Sequence, residues 1–306
     1  MRIAIDVGEG TTAVNCGQLV RSVAPNAAAA GRIVTLGPGF FDFSMMPWFV
    51  HGDPVVVRGA GRDATVLVGR NPATSSFSCA FESAGRDVTF EDLTLESRMA
   101  DPGGQSCVVG YANSATAAGA KLTIRRCRVL GGMFGVYSWK AADHQITIED
   151  SEVAAGCFPV GAGRSSGADG QHVVIRRCVI RGDAALRLAA GSPDALPAGQ
   201  DETYSTVHGI YLRGGTMAVY DTLFDLRGHP SRHGCLGIGM PSNASEHLTL
   251  DVHNCVFRID ANGALRARDI ETQNPAILPN IRVHGGTGHE GGKVKVVNET
   301  DEHIEQ

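Results

Sequence analysis

The residues of this chain best suited to chemistry lie in two short segments, GVYSWK (135–140) and HGIYLRG (208–214). Each segment combines aromatic side chains with a cation. Aromatic planes can stack on sugar rings, cations can hold carboxylates, and an imidazole or a phenol can move a proton. Together these residue types suit the binding of an acidic sugar polymer. The residues concerned are Tyr137, Trp139 and Lys140 in the first segment, and His208, Tyr211 and Arg213 in the second.

Six repeated units must position these segments. Each unit is a short apolar strand, a two-residue polar corner and a second apolar strand, and successive corners are 24 to 44 residues apart. A β-type repeat of this length predicts a solenoid, and the shortest step leaves room for three short strands. The second corner residue alternates in charge, so stacked coils would place acid on base as cross-strand pairs. These corner residues are Asp92, Arg126, Asp150, Arg177, Asp221 and Asn254.

The alternation of residues within the units predicts which side chains point into the solenoid. Apolar side chains recur before the corner, and mostly small ones recur directly after it. A third strand is visible in each unit, and further units have their corners at Gly59 and Gly285. We therefore expect an all-β fold, a single right-handed parallel β-helix of about eight coils. The three inward columns are Phe90, Ile124, Ile148, Ile175, Val219 and Val252; Leu93, Cys127, Ser151, Cys178, Thr222 and Cys255; and Leu95, Val129, Val153, Ile180, Phe224 and Phe257.

The ends of the chain predict caps, which the terminal coils of a solenoid require. We expect a short strand and a capping helix, interrupted near Pro25, in residues 1–31, and the β-helix in residues 32–297. Residues 298–306 form a polar tail that we expect to be frayed.

The composition bears on partners and location. The chain has 306 residues and a net charge of −5, which gives no electrostatic reason to expect nucleic acid. It has no run of about 18 apolar residues, which argues against a membrane span. The first 20 residues contain Asp6 and Glu9 and lack the apolar core of a secretory signal. We therefore expect either an intracellular protein or a phage virion protein.

The eight cysteines form no C-x-x-C or C-x-x-H pair, so we expect buried free thiols rather than a disulfide or a metal site. His229 and His233 are four residues apart in HPSRH. That spacing binds metal on a helix, and the proline in this loop disfavours a helix. We therefore assign no metal ligands from the sequence.

The opening block of the β region resembles the start of pectin-lyase-like β-helices. It reads IVTLGPGFFDF followed by PVVVRGAGRDATVLVG, with Val57, Gly59, Gly61, Thr65 and Leu67 at the positions of the recurring strand pair. That superfamily includes pectate lyases, pectin methylesterases, polygalacturonases and phage tailspikes, and the resemblance covers residues 30–290. The catalytic signatures are absent: the D-D and G-H-G blocks of polygalacturonases, the paired-Asp, Trp and Arg pattern of pectin methylesterases, and the Y-G-x-D-P-H motif of alginate epimerases. The resemblance implies the fold and leaves the activity open.

The resemblance also implies where a ligand would bind, because ligands of this superfamily usually lie across the third strands and their flanking loops. Tyr137 and Trp139 would then stack on sugars, and Lys140 and Arg213 would bind carboxylates. The largest insertion, residues 183–207, would lie beside this face. The expected partner is a polysaccharide.

Two reactions stay open at such a site. Glycoside hydrolysis needs two carboxylates about 5–5.5 Å or about 6.5–9.5 Å apart, and the loop acids Asp143 and Asp225 are candidate substrate-binding groups. β-Elimination needs a cation on the carboxylate and a base, either His208 or Tyr211. No cofactor is expected, except Ca²⁺ held by aspartates if the protein is a lyase. The candidate catalytic residues are Lys140, His208, Tyr211 and Arg213.

The alternative is a non-enzymatic function. A phage virion protein of the tailspike or decoration type would use the β-helix as a rigid scaffold and associate as a homotrimer. A stable trimer would favour this alternative, and a monomer with an open acidic groove would favour a lyase or a hydrolase.

Overall fold

The chain is described by a computed structural model, which shows regular structure over most of the repeated units. The residues that the structure describes are 2–5, 32–43, 48–50, 55–69, 78–83, 87–97, 106–111, 119–138, 143–163, 171–182, 206–227, 234–260, 267–290, 295–298 and 303–305.

The described residues form a right-handed parallel β-helix with three sheets. Nine successive coils can be traced, each with one strand per sheet, preceded by one strand of sheet 1. The sequence predicted about eight, because the corner of the first coil is Gly37–Pro38 rather than a polar pair. Sheet 1 contains Arg2–Ile5, Arg32–Leu36, Val55–Arg58, Asp87–Glu91, Lys121–Arg125, Gln145–Glu149, His172–Arg176, Thr216–Tyr220, Thr249–His253 and Ile281–Val283.

Sheets 2 and 3 complete each coil. Sheet 2 contains Gly39–Phe43, Thr65–Gly69, Thr94–Ser97, Arg128–Gly131, Glu152–Ala155, Val179–Gly182, Leu223–Asp225, Val256–Arg258 and Gly288–His289. Sheet 3 contains Trp48–Val50, Ser78–Ser83, Ser106–Tyr111, Phe134–Ser138, Phe158–Ala162, Thr206–Leu212, Gly234–Met240, Ala267–Thr272, Lys295–Asn298 and His303–Glu305. A 3₁₀ turn spans Pro275–Asn280.

The predicted register and core are confirmed. Ile124 pairs with Ile148 on the next coil and with Phe90 on the previous one, and the column continues in register through Ile175, Val219 and Val252. Each of these six side chains is at most 1% exposed. Burial of such a side chain stabilises the fold by about 1.5–3 kcal/mol relative to exposure.

A second inward column alternates thiols with hydroxyls. The Cys127 backbone N–H donates to Ser151 Oγ at 3.0 Å, and the Cys178 N–H donates to Thr222 Oγ1 at 3.4 Å. Burial raises the pKa of Cys127 to about 12 and the pKa values of Cys178 and Cys255 to about 11. The prediction of buried free thiols is confirmed for the seven cysteines that the structure describes.

The corner residues between sheets 1 and 2 share a left-handed backbone conformation. All six have φ between +48° and +57°, a region that non-glycine residues seldom occupy, Asp and Asn excepted. Neighbouring corners are joined in pairs: Arg126 Nε and Nη2 donate to Asp92 at 2.7 and 2.8 Å, and Arg177 does the same to Asp150 at 2.6 and 2.9 Å. These hydrogen bonds lower the pKa values of Asp92 and Asp150.

We expect Asp150→Asn to lower the free energy of unfolding by about 0–1 kcal/mol, because the pair is exposed. Asp150→Arg should cost more, since it puts a third arginine between Arg126 and Arg177. Both of those arginines adopt the corner conformation, so an arginine can occupy this position, and the salt-dependent part of the difference between the variants reports electrostatics. Urea unfolding at low and high salt measures it, and equal costs at low salt would contradict the expectation.

The Asp150 pair also sets a pH dependence. Because the folded-state pKa lies below the ordinary value of 3.8, the pair stabilises the fold above that value. Its contribution is lost as the pH falls through the lower, folded-state pKa. The Asp150→Asn variant should therefore lose less stability than the wild type on acidification.

The ends of the β-helix differ from one another. Arg2–Ile5 pairs in parallel with Arg32–Leu36, and the predicted capping helix lies outside the described residues. The expectation of a frayed tail is wrong for His303–Glu305, which pairs antiparallel with Lys295–Asn298 and covers the end of sheet 3. The described part of the chain contains no helix with the length and apolar character needed to cross a membrane.

Candidate functional site

The outer face of sheet 3 carries a second apolar cluster. Phe134 pairs in register with Phe158, and their rings stack with centroids 5.0 Å apart. The Tyr211 ring lies 5.0 Å from Phe158 and 5.3 Å from His208. The cluster consists of Cys79, Cys107, Met133, Phe134, Tyr137, Cys157, Phe158 and Tyr211.

This cluster changes the interpretation of the third strands, across which a ligand was expected to lie. Tyr137 is 1% exposed, His208 8% and Tyr211 9%. The glycines make room for rings: a Cβ on Gly161, the register partner of Tyr137, would lie 2.6 Å from the Tyr137 Cδ2 atom. A ring that is 1% exposed has no free face, so Tyr137 does not offer a stacking platform for a sugar in this conformation.

The predicted site residues that the structure describes lie at three places: on and directly after sheet 3, in the turn that enters sheet 1, and at the corner between sheets 2 and 3. His208 and Tyr211 lie together on sheet 3, and the Arg213 guanidinium is 6.0 Å from the Tyr211 ring centroid. Arg213 is half-buried, and its Nε donates to Asn243 Oδ1 at 3.2 Å. Trp139, Lys140, His229, His233 and the segment 183–205 lie outside the described residues.

The two candidate acids are not brought together. Asp143 is exposed, with φ of +56°, in the turn that enters sheet 1. Asp225 ends a strand of sheet 2, at the corner where the chain leaves for sheet 3. The two carboxylates therefore occupy different corners of the coil, and they do not form the pair that glycoside hydrolysis requires.

A buried polar network that the sequence did not reveal precedes Trp139. The Ser138 hydroxyl accepts a hydrogen bond from Gln171 Nε2 at 2.9 Å, and it shares a second hydrogen bond with His144 Nδ1 at 3.1 Å. Gln171 Oε1 accepts from the Gly163 N–H at 2.6 Å. Because Ser138 and His144 are fully buried, this serine–histidine pair fixes the sheet 3 to sheet 1 corner rather than meeting a substrate. In the sequence this network is marked by a polar residue, His144 or Gln171, directly before a strand of sheet 1.

A cavity of about 350 Å³, widely open to the surface, lies at the corner between sheets 2 and 3. Arg181 and Asp225 are register partners on neighbouring strands, and among the described residues Gly182 and Arg227 also line the cavity. Arg227 donates to both Asp225 carboxylate oxygens at 2.9 Å, which lowers the pKa of Asp225, with a smaller contribution from the Arg258 charge. Asp225 therefore stays ionised, which suits an acceptor for hydroxyl groups and not a general acid.

The cavity belongs to a band of charged residues on the outer face of sheet 2. Arg181 donates to Glu152 at 2.9 Å, and Arg258 and Arg227 approach Glu290 at 3.3 and 3.7 Å. A guanidinium carries five N–H donors, and it binds carboxylates in a bidentate manner. Arg181 and Arg227 are both exposed, so the cavity can accept a hydroxyl-rich anion.

Comparisons with known proteins support the fold. No protein-family model matches the sequence, and no curated protein sequence is detectably similar. The pectin methylesterase PemA from Erwinia chrysanthemi is 8% identical with a TM-score of 0.52, over 98% of this chain and 93% of that one. Escherichia coli ybhc is 9% identical with a TM-score of 0.51, over 97% of this chain and 85% of that one. A pectin methylesterase in complex with hexasaccharide VII is 9% identical with a TM-score of 0.49, over 91% and 88% of the chains.

At these identities the similarity shows the fold alone. The resemblance to pectin-lyase-like β-helices that the sequence indicated is confirmed at this level. The activity has to be argued from the residues of this chain.

Proposed function

We propose that this chain binds an acidic polysaccharide at the corner between sheets 2 and 3, with Arg181 and Arg227 on ligand carboxylates and Asp225 on hydroxyl groups. The observation that carries the proposal is the cavity of about 350 Å³ that these side chains line. The pectin methylesterases among the fold neighbours act on pectin, which makes a polyuronate the first ligand to consider.

The spacing of the two arginines supports a polymer as the ligand. Arg181 lies within the strand Val179–Gly182, and Arg227 lies two residues beyond Leu223–Asp225 on the next coil. Neighbouring strands are about 4.8 Å apart. That distance is close to the length of one sugar unit. Charged side chains continue along the same face at Glu152 and Arg258. A polysaccharide lying across the coils would therefore meet a charged side chain on each successive coil.

The residues predicted on sheet 3 take different parts in this proposal. Arg213 remains a proposed binding group on the sheet 3 side, and Trp139 and Lys140, outside the described residues, remain binding groups proposed from the sequence. Tyr137 and Tyr211 belong to the buried cluster, and we assign them to packing. The proposal contains no catalytic step.

Isothermal titration with polygalacturonate tests the proposal, with fully methyl-esterified pectin as the uncharged ligand of the same backbone. We expect Arg181→Gln and Arg227→Gln each to weaken polygalacturonate binding about tenfold, which is about 1.4 kcal/mol. Rising salt should weaken binding of the wild type. Arg177→Gln is the matched control, because Arg177 is an exposed arginine at the opposite edge of sheet 2.

Equal binding of the charged and the esterified polymer, or equal loss in all three variants, would contradict the proposed site. The same samples, followed at 235 nm and for new reducing ends, report cleavage. Turnover that Arg181→Gln and Arg227→Gln abolish would extend the proposal to an enzyme.

A rigid, non-enzymatic scaffold of the phage virion type is the second candidate. The sealed aromatic cluster on the outer face of sheet 3 favours it, because this face was expected to form a ligand groove. A stable trimer in light scattering, together with no binding to any polyuronate, would support the scaffold over the proposed binding function.

A further inference from the structure

Two histidines and an aspartate meet on the outer face of sheet 1, in its last coils. Asp251 and His253 are two residues apart on the strand Thr249–His253, so their side chains share a face. His284 directly follows the neighbouring strand Ile281–Val283. The candidate ligand atoms of the three residues all lie within 4.8 Å of one another.

The two imidazoles are held side by side. Their centroids are 3.8 Å apart and their planes differ by 5°, and His284 Nε2 lies 3.4 Å from Asp251 Oδ1. The Tyr220 ring stacks on the opposite face of the His253 ring, with the two ring centroids 4.8 Å apart. His253 is therefore packed between two rings, whereas His284 is exposed and can turn.

We propose that Asp251, His253 and His284 bind a divalent first-row transition metal ion, of which Zn²⁺ is the representative. Two imidazole nitrogens and a carboxylate oxygen match the ligands of zinc and its neighbours, and they are poor ligands for Ca²⁺. Zinc–nitrogen bonds of about 2.0–2.1 Å require the ligand atoms to converge. A turn of the His284 ring about its broad terminal torsion supplies that movement.

Three protein ligands leave coordination positions for water or for an oxygen of a bound ligand. The site lies on sheet 1, so it is independent of the saccharide binding proposed between sheets 2 and 3. Arg282 Nη1 lies 3.9 Å from Asp251 Oδ1, and this charge opposes a bound cation.

Titration of the chelator-treated full-length protein with ZnCl₂ tests the site, and Co²⁺ absorption gives a spectroscopic readout of the ligands. We expect one saturable ion per chain, at least tenfold weaker binding in His284→Ala and Asp251→Asn, and no competition from equimolar Ca²⁺. His247→Ala is the control, because His247 lies 3.7 Å from Glu246 in an exposed pair outside the cluster.

Arg282→Gln gives a test of opposite sign, since removal of its charge should tighten Zn²⁺ binding severalfold. A variant that failed to fold would lose Zn²⁺ binding, so misfolding cannot account for tighter binding. Binding that none of the cluster variants changes, or no saturation at millimolar Zn²⁺, would overturn the proposal.

Discussion

Gly215→Ala is expected to lower the free energy of unfolding by about 4 kcal/mol or more, the size that marks a clash with fixed backbone. Gly215 has φ of +84°, and a Cβ there would lie 2.1 Å from the Gln171 carbonyl oxygen and 2.5 Å from its nitrogen. The Thr216 N–H donates to that same carbonyl at 2.8 Å. The coil cannot move away without breaking the corner that Gln171 and Ser138 hold.

Gly119→Ala is the matched control, because Gly119 has φ of +75° and a Cβ there would meet nothing within 4 Å. It should cost only the left-handed strain of an L residue, about 1–2 kcal/mol. Thermal and urea unfolding of the two variants therefore separate the cost of left-handed backbone strain from the cost of steric overlap with the Gln171 backbone. Equal costs would show that the sheet 3 to sheet 1 corner can relax around an added methyl group.

The register of the β-helix could be predicted from the sequence, since each coil repeats the same positions around one corner. Ile124 and Ile148 occupy equivalent places in their units, and a slip by one residue would turn both towards solvent. The left-handed corner itself was not predicted, although Asp and Asn, the residues that tolerate this conformation, recur there. Arg126 and Arg177 obscured that signal, because arginine has no such preference.

The candidate site was less predictable, because burial of an outward-facing residue depends on its neighbours in other coils. Tyr137 looked exposed next to glycines, yet Gly161 on the next coil is the space that its ring fills. Arg181 lies within a short strand and Arg227 lies shortly after one, and neither belongs to a motif. Only the register of sheet 2 reveals that Arg181 lies beside Asp225, which Arg227 binds.

The first residues of the two-residue corners also form a column, in which Glu91 is buried and the equivalent Glu149 is partly exposed. Glu91 and Glu149 both pair in register with Arg125, on either side of it. The Glu91 side chain is fully buried and accepts hydrogen bonds from Arg58 and Arg125, with Arg126 at 3.4 Å. Glu149 is 28% exposed, and Arg176 Nη1 lies 3.9 Å from its carboxylate.

Glu91→Gln is expected to cost about 3 kcal/mol, because it removes the buried anion and leaves three guanidinium groups facing an amide. Glu149→Gln makes the same chemical change in the same column and should stay within about 0.5 kcal/mol, as an exposed and loosely paired site. Urea unfolding of the two variants, with matched circular dichroism spectra, measures the difference. If the two costs were equal, the arginines around Glu91 would be solvated well enough to need no buried counter-charge. A large cost for Glu91 alone would mean that one buried carboxylate stabilises the contact of three coils more than the exposed corner pairs do.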